Sequence, residues 1–260
     1  MIKTNYHTHH ELCGHAGGKT EDYVLEAIKN GYKEIGMSDH GPLPNEPFPR
    51  MSLDDFNNIY LKEIEIAKEK YQNVIKIKSG IEIEYVSNNI EYYKMLHDKL
   101  DYMILGCHYY SNEDGYKDKS AYRITTHERL EEYTKMIEEA LDTKLFKILA
   151  HPDLFLIGYP KFDFYAVECS KRIIQSAIKN DVIIEYNANG LRRGKKTFED
   201  GSIDYAYPNS KFWDLVKKLK PKVIIGSDCH TPEVLEDECM EEARKKLKEL
   251  GIKYLEKLED

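Results

Sequence analysis

The chain has 260 residues, 41% of them hydrophobic, and 38 Lys+Arg against 46 Asp+Glu give a formal net charge of -8. That acidic balance, without a basic stripe, excludes a general nucleic-acid-binding role. No apolar run approaches the roughly 20 residues of a membrane span, and the opening MIKTNYHTHH lacks the apolar stretch of a secretory leader.

In chain order, apolar runs predict strands at 2–6, 34–38, 74–83, 102–107, 146–150, 182–186 and 223–227. Helical periodicity falls between them. A first helix has Thr20 as its expected N-cap and Gly31 as its stop, and a second opens at Ser52 with Phe56, Ile59, Tyr60, Ile64 and Ala67 on one face. Others are expected near 88–98, 127–142, 163–180, 209–219 and 233–249. Strict alternation of strand and helix implies a parallel sheet with right-handed crossovers, and seven strands suggest an α/β barrel, open or closed, in a single domain over 1–260. The longer loops at 41–51, 109–125, 152–162 and 187–207 each follow a strand. They belong on the C-terminal face, where barrel active sites are built.

The same strand ends carry imidazoles and carboxylates. His7 and His9 form an H-x-H after the first strand, and residues two apart on a strand point the same way. His15 follows closely. His40 ends strand two in S-D-H-G, Glu82 strand three in G-I-E-I-E, His108 strand four in G-C-H, and His151 strand five in A-H-P-D. Asp228 and His230 end strand seven in G-S-D-C-H. One such histidine is ordinarily a packed or surface residue. Repetition on nearly every strand end points to metal, and nine donors suit a cluster of two or three ions. His10 points away from His9 and is read as a non-ligand, while His97 and His127 fall in helices. Glu84 shares a strand face with Glu82, where it can touch the site or form a structural ion pair. The five cysteines are odd in number and form no C-x-x-C pair, which predicts free thiols and a cytoplasmic protein. Cys13, Cys107 and Cys229, beside the donors, are read as packing residues.

Taken in order, H-T-H-H-E-L-C-G-H-A, S-D-H, G-I-E, G-C-H, A-H-P-D and S-D-C-H resemble the PHP (polymerase and histidinol phosphatase) superfamily over residues 1 to 230. The stretch from His7 to Ala16, with the loop after strand two, is most similar to its histidinol-phosphate phosphatase branch. The resemblance implies a distorted (β/α)7 TIM-like barrel and a trinuclear centre of zinc, iron or manganese. It implies one ion on His7, His9, Glu82 and Asp228. A second is bridged by Glu82 and held by His108 and His151, and a third is held by His15, His40 and His230. It further implies hydrolysis of L-histidinol phosphate in histidine biosynthesis.

Elementary chemistry agrees with a phosphomonoesterase. Three divalent ions less two carboxylates leave net positive charge for a phosphate dianion, and a metal-bridging hydroxide is the expected nucleophile. Arg192 and Arg193, adjacent in the loop after strand six of an arginine-poor chain, are candidates for bidentate phosphate recognition and for catalysis. Arg123 is a weaker candidate. Asp153 can protonate the leaving alkoxide, or cap the segment that follows it. Tyr109, Tyr110 and Tyr159 lie on catalytic-face loops and can line a pocket for an imidazole ring. The expected partner is a small phosphate ester, with no nucleic acid or membrane; oligomeric state is not legible. Alternatives are a PHP-type phosphoesterase of different or broad range, acting on nucleotides or general phosphate esters, and a non-catalytic PHP binding module. An amidohydrolase is disfavoured by the spacing of His9 and His15 and by the lack of an eighth strand bearing its own Asp.

Overall fold

A computed structural model describes residues 2–43, 50–110 and 119–258. Parts of the expected loops 41–51 and 109–125, namely 44–49 and 111–118, lie outside the described residues. Seven strands form one parallel sheet: β1 (Thr4–Asn5), β2 (Glu34–Met37), β3 (Lys76–Ile83), β4 (Tyr102–Leu105), β5 (Ile148–Leu149), β6 (Ile183–Asn187) and, after a hairpin described below, β9 (Val223–Gly226). Their order, β1-β2-β3-β4-β5-β6-β9, follows the chain, as successive right-handed crossovers require. The sheet curls until its edges meet. Thr8 and Cys229 form a parallel bridge, the His9 amide donates to the Cys229 carbonyl (2.9 Å), and the Ser227 amide donates to Asn5 Oδ1 (2.7 Å). Toward the N-terminal end of the barrel, the C-terminal segment seals the same seam. The Leu255 amide donates to the Val223 carbonyl (2.7 Å), and the Thr4 hydroxyl to the Glu256 carbonyl (2.6 Å).

The helices pack their apolar stripes on the outside of this sheet, and a second cluster fills its inside. Tyr6, Tyr102, Ile104, Ile148, Ile183 and Ile224, with Leu258 from the C-terminal segment, occupy the lower interior. Gly36 and Gly80 have no choice of residue there. A Cβ on Gly36 would lie 2.1 Å from the Tyr102 hydroxyl oxygen, and one on Gly80 would lie 2.4 Å from its ring. Tyr102 crosses the barrel over the two bare backbones and donates to the Tyr6 carbonyl (2.7 Å). With the bottom packed, the donors at the C-terminal ends occupy the top.

Four details differ from expectation. Thr20 is the first helical residue, not the cap. Lys19 is the N-cap and Asp22 accepts its amide (2.8 Å), while the buried Thr20 hydroxyl has no partner. Ser52 does cap its helix, in a reciprocal pair with Asp55, but the helix holds a π turn at Phe56–Tyr60 that turns Tyr60 inward beneath Asp39. The last helix begins at Glu238, because Asp237 caps it after a 3-10 turn at Pro232–Val234. The segment 187–207 is not bare loop. It contains a helix at Ala188–Arg192 and the antiparallel hairpin β7 (Lys195–Thr197) and β8 (Ile203–Tyr205). Asp200-Gly201, with Gly201 at φ 79, is the turn signal, but the strands are only three residues long and β7 (K-K-T) carries no apolar residue.

Candidate metal centre

Glu82 stands at the end of β3 and is the hub. One carboxylate oxygen, Oε2, lies 3.1 Å from His40 Nδ1, 3.4 Å from His9 Nε2 and 3.5 Å from His7 Nε2. The other, Oε1, lies 3.1 Å from His151 Nε2 and 3.8 Å from His108 Nε2. Asp228 Oδ1 sits 3.1 Å from His9 Nε2 and 3.7 Å from both His7 Nε2 and His230 Nδ1. His15 joins at the rim, its ring 5.2 Å from that of His40 and 5.1 Å from that of His230. All nine donors named from the sequence therefore meet at one end of the barrel. Two of them, His151 and Asp228, carry left-handed backbones (φ 29 and 48), as does Cys107 before His108 (φ 53). Such strain in non-glycine residues is tolerated where the surroundings fix it, here to turn strand-end side chains over the barrel mouth.

A shell of carboxylates and amides aims these donors. Glu185 Oε1 is 2.7 Å from His7 Nδ1, so the tautomer that donates to Glu185 leaves Nε2 bare toward Glu82. The second oxygen of Glu185 accepts from the His151 amide (3.2 Å) and Asn187 Nδ2 (2.7 Å). Gly226 makes room for it: a Cβ there would lie 1.7 Å from Glu185 Oε1. Glu84 Oε1 lies 2.8 Å from His108 Nδ1, behind the donor rather than among the converging ligand atoms. Asp39 faces His10 Nδ1 (2.8 Å) and His9 Nδ1 (3.4 Å) and accepts from the Cys13 amide (3.1 Å). Asn187 and Asn189 both donate to Asp228 Oδ2, at 3.1 and 3.2 Å. Glu185, Asp39, Asn187 and Asn189 were not singled out from the sequence. The signal that could have found one of them was Glu185 itself, an acid inside the apolar run I-I-E-Y-N.

The donor set fits divalent cations. His7 Nε2, His9 Nε2 and Glu82 Oε2 are buried, converge, and have no hydrogen-bond partner. Buried polar atoms are ordinarily paired, so a converging orphaned set marks a place for an ion. Three groups of donors bring their ligand atoms within 4.8 Å of one another here: His7, His9 and Glu82; His40, Glu82 and His108; and His9, His40 and His230. A fourth joins His9 to Cys13 and Asp39. Burial, helped by Asp39, pushes the Cys13 thiol up to about 12, so it stands there as a neutral thiol.

The electrostatics set buried carboxylates against a crowd of imidazoles that compete for protons. Burial opposes ionisation of Glu82, yet His108, His7 and His40 hold it well below the usual carboxylate range. His7 overcomes burial through Glu185, Asp228 and Glu82 and lies well above the ordinary imidazole value, and His9 is raised to about 9 by Asp228, Asp39 and Glu82. His40 is driven well below its ordinary value by burial and the His9 charge, and His230 falls to about 4 for the same reasons. The imidazoles cannot all carry protons together; divalent ions take the place of those protons.

The centre opens into a cavity of about 710 Å³. Arg193 lines it, with its guanidinium carbon 6.0 Å from the rings of Tyr122 and Tyr207, both also lining residues. Tyr109 is on the wall as well. The other candidates are elsewhere or engaged. Arg192 borders the cavity, but its guanidinium is spent on the protein. Nε and Nη2 bond Asp237 (2.7 and 3.2 Å), Nη1 the Ser227 carbonyl (2.5 Å), and Nη2 also Ser227 Oγ and the Val234 carbonyl (3.0 and 2.8 Å). These bonds tie Arg192 into the protein's own structure, whereas Arg193 faces the open cavity. Asp153 is buried behind His151, accepts the Asn209 amide (2.6 Å), and is absent from the cavity wall; burial lifts its carboxyl to about 7. That bond ties the loop after β5 to the segment before Ser210. Tyr159 is buried, bonds Asp163 (2.8 Å) and does not line the cavity. Tyr110 is buried edge-on against Tyr133 and is likewise off the wall. Arg123 is exposed and also off the cavity wall. Tyr122 and Tyr207 were missed, because aromatic residues in loops look alike until the loops are placed.

Together these features define a class: a seven-stranded parallel barrel whose strand ends gather a metal-binding nest of histidines under an open, aromatic-walled bowl. The model of the PHP domain matches residues 5–189, and the chain belongs to that family. It is 24% identical to the histidinol-phosphatase of Bacillus subtilis, across 88% of this chain and 94% of that one. It is 25% identical to a probable phosphatase of Clostridium acetobutylicum, across 86% of this chain and 77% of that one. Among solved structures it is similar to the histidinol phosphate phosphatase of Lactococcus lactis, a complex with zinc, L-histidinol and phosphate. The TM-score is 0.74 at 20% identity, covering 97% of this chain and 95% of that one. Among the described residues no helix is long and apolar enough to cross a membrane.

Proposed function

We propose that this protein is a metal-dependent phosphomonoesterase that hydrolyses L-histidinol phosphate to L-histidinol and phosphate. The observation that carries it is a set of buried, unpartnered donors from His7, His9 and Glu82, of which Glu82 reaches the wall of a bowl that also holds the exposed guanidinium of Arg193. The names of the relatives supply the substrate; the physics supplies the reaction class.

Three divalent ions would be held as the family resemblance implies: by His7, His9, Glu82 and Asp228; by Glu82 with His108 and His151; and by His15, His40 and His230. When bound, such ions offset phosphate charge and make water acidic enough to attack phosphorus near neutral pH. The chain's own residues do the rest. Glu185 and Glu84 keep His7 and His108 in the tautomer that leaves Nε2 free. Asn187 and Asn189 fix one oxygen of Asp228 so that the other faces His9. Arg193, flanked by Tyr122 and Tyr207, presents a planar fork suited to two phosphoryl oxygens. Tyr109 and Tyr122 provide aromatic wall for the alcohol part of the ester.

Phosphate release from L-histidinol phosphate, p-nitrophenyl phosphate and a nucleoside monophosphate, on protein of measured metal content, tests this. A kcat/KM for histidinol phosphate far above the other two supports it. Equal turnover of all three replaces it with a broad phosphoesterase, and no turnover by fully metallated protein sinks the enzyme reading.

A further inference from the structure

The nine donors are not equally supported. His7 and His108 have a carboxylate close behind the ring, from Glu185 and Glu84, and His9 has Asp39 at 3.4 Å, while His151 Nδ1 has no partner. His15 and His230 face backbone carbonyls instead, those of Cys13 (3.1 Å) and Asp228 (3.3 Å). A carboxylate partner makes an imidazole a more basic ligand than a carbonyl does. Among the convergent donor groups, the one of His40 and His230 with His9 is all imidazole, whereas the two that include Glu82, one of them with His40, hold a carboxylate. Glu82 does approach His40, and Asp228 approaches His230, but each is shared with imidazoles deeper in the barrel. Burial separates the two ends of the set. His7, His9 and His151 are sealed and His108 nearly so, whereas His15 is exposed and the His230 side chain is 29% accessible; His40, buried, links the two. Arg50, on the cavity wall, adds positive charge toward His15 and His40. A dication on His15, His40 and His230 thus meets three neutral ligands, a nearby cation and water.

We infer that the position formed by His15, His40 and His230 is the weak, exchangeable one of the centre, and that a phosphate dianion entering the bowl is what secures its ion. The inference rests on the three-ion reading above. The missing negative charge is the physical reason for both halves. A carboxylate partner shifts metal affinity by roughly 10- to 100-fold, so the outer ion should be weaker than the inner two by about that factor. Binding of phosphate and of that ion must strengthen each other equally, typically by about 5- to 150-fold.

Equilibrium dialysis of the whole protein against buffered free zinc, with metal counted by mass spectrometry, reads this without turnover. The expected curve has two phases, one ion leaving before the other two, and millimolar inorganic phosphate moves only the first phase to lower free zinc. His15→Ala, at an exposed position, should keep two ions and lose the phosphate-sensitive phase. Three ions leaving together, or a first phase indifferent to phosphate, would overturn the inference while leaving the three-ion reading intact. A wild-type protein that never exceeds two ions at saturating zinc would overturn both. Loss of all ions from His15→Ala would show that the outer position is not separate.

Discussion

Arg192 and Arg193 are neighbours in sequence with opposite fates in the fold, so a pair of alanine substitutions separates recognition from structure. In Arg193→Ala the exposed side chain takes away a cation that lies between Tyr122 and Tyr207 over the cavity. A hydrogen bond to a charged group contributes about 1.5–3 kcal/mol, so kcat/KM for the phosphate ester should fall by roughly 10- to 150-fold. Stability should shift by no more than about 0.5 kcal/mol, as for other surface positions. Arg193→Lys should recover part of the loss, since it restores charge without the planar fork. Arg192→Ala does the reverse. It strips donors from Asp237, the Ser227 and Val234 carbonyls and Ser227 Oγ, and leaves the cap of the last helix without its cation. Both Arg192 and Asp237 keep some solvent contact (16% and 21%), so the cost belongs at the low end for a broken buried pair, about 3 kcal/mol. For a chain of this size that lowers Tm by roughly 6–12 °C. Steady-state kinetics and thermal unfolding on metal-matched samples supply both readouts. An Arg193→Ala variant with unchanged kcat/KM, or an Arg192→Ala variant that loses turnover at unchanged Tm, would refute the division of roles.

Three further outcomes are expected. Glu185→Gln keeps the shape but loses the charge behind His7, and should weaken zinc binding by roughly 10- to 100-fold in a competitive chelator titration; unchanged affinity would mean that Glu185 does not tune the centre. Gly36→Ala forces a methyl against the hydroxyl of Tyr102, whose ring spans the barrel and has no room to swing aside, and should cost about 1–3 kcal/mol by denaturant unfolding. Removing metal with a chelator should lower Tm, and adding zinc back to about 1,000 times its Kd should restore about 4 kcal/mol; a Tm indifferent to zinc would argue against a resident ion.

Much of the site was legible in the chain because its donors follow strands that are themselves plain. An apolar run such as 102–107 or 223–227 marks a buried parallel strand, and the polar residue that ends it must lie at the barrel's C-terminal mouth. His7 and His9 could be paired from their spacing alone. The helices from Ser52 and at 127–142 and 163–180 were likewise visible in their periodicity. Thr20 misled because the helix starts one residue earlier than its residue type suggests: Lys19 holds the cap position, and Thr20 is buried inside the first turn. The hairpin of β7 and β8 was hidden because its strands are three residues long and one of them, K-K-T, has no apolar residue.

Local periodicity and chain order are enough to say which donors exist, that they sit at strand ends, and therefore that a metal nest lies at one end of a parallel barrel. What each functional group faces is a matter of the folded arrangement alone. Arg192 turns to Asp237 and Arg193 to the cavity; Glu185 backs His7; Asp153 ties down Asn209; Tyr122 and Tyr207 become walls of the bowl. Those roles depend on contacts between residues far apart in the chain, and a side chain's partner across a barrel leaves no mark on its neighbours in sequence.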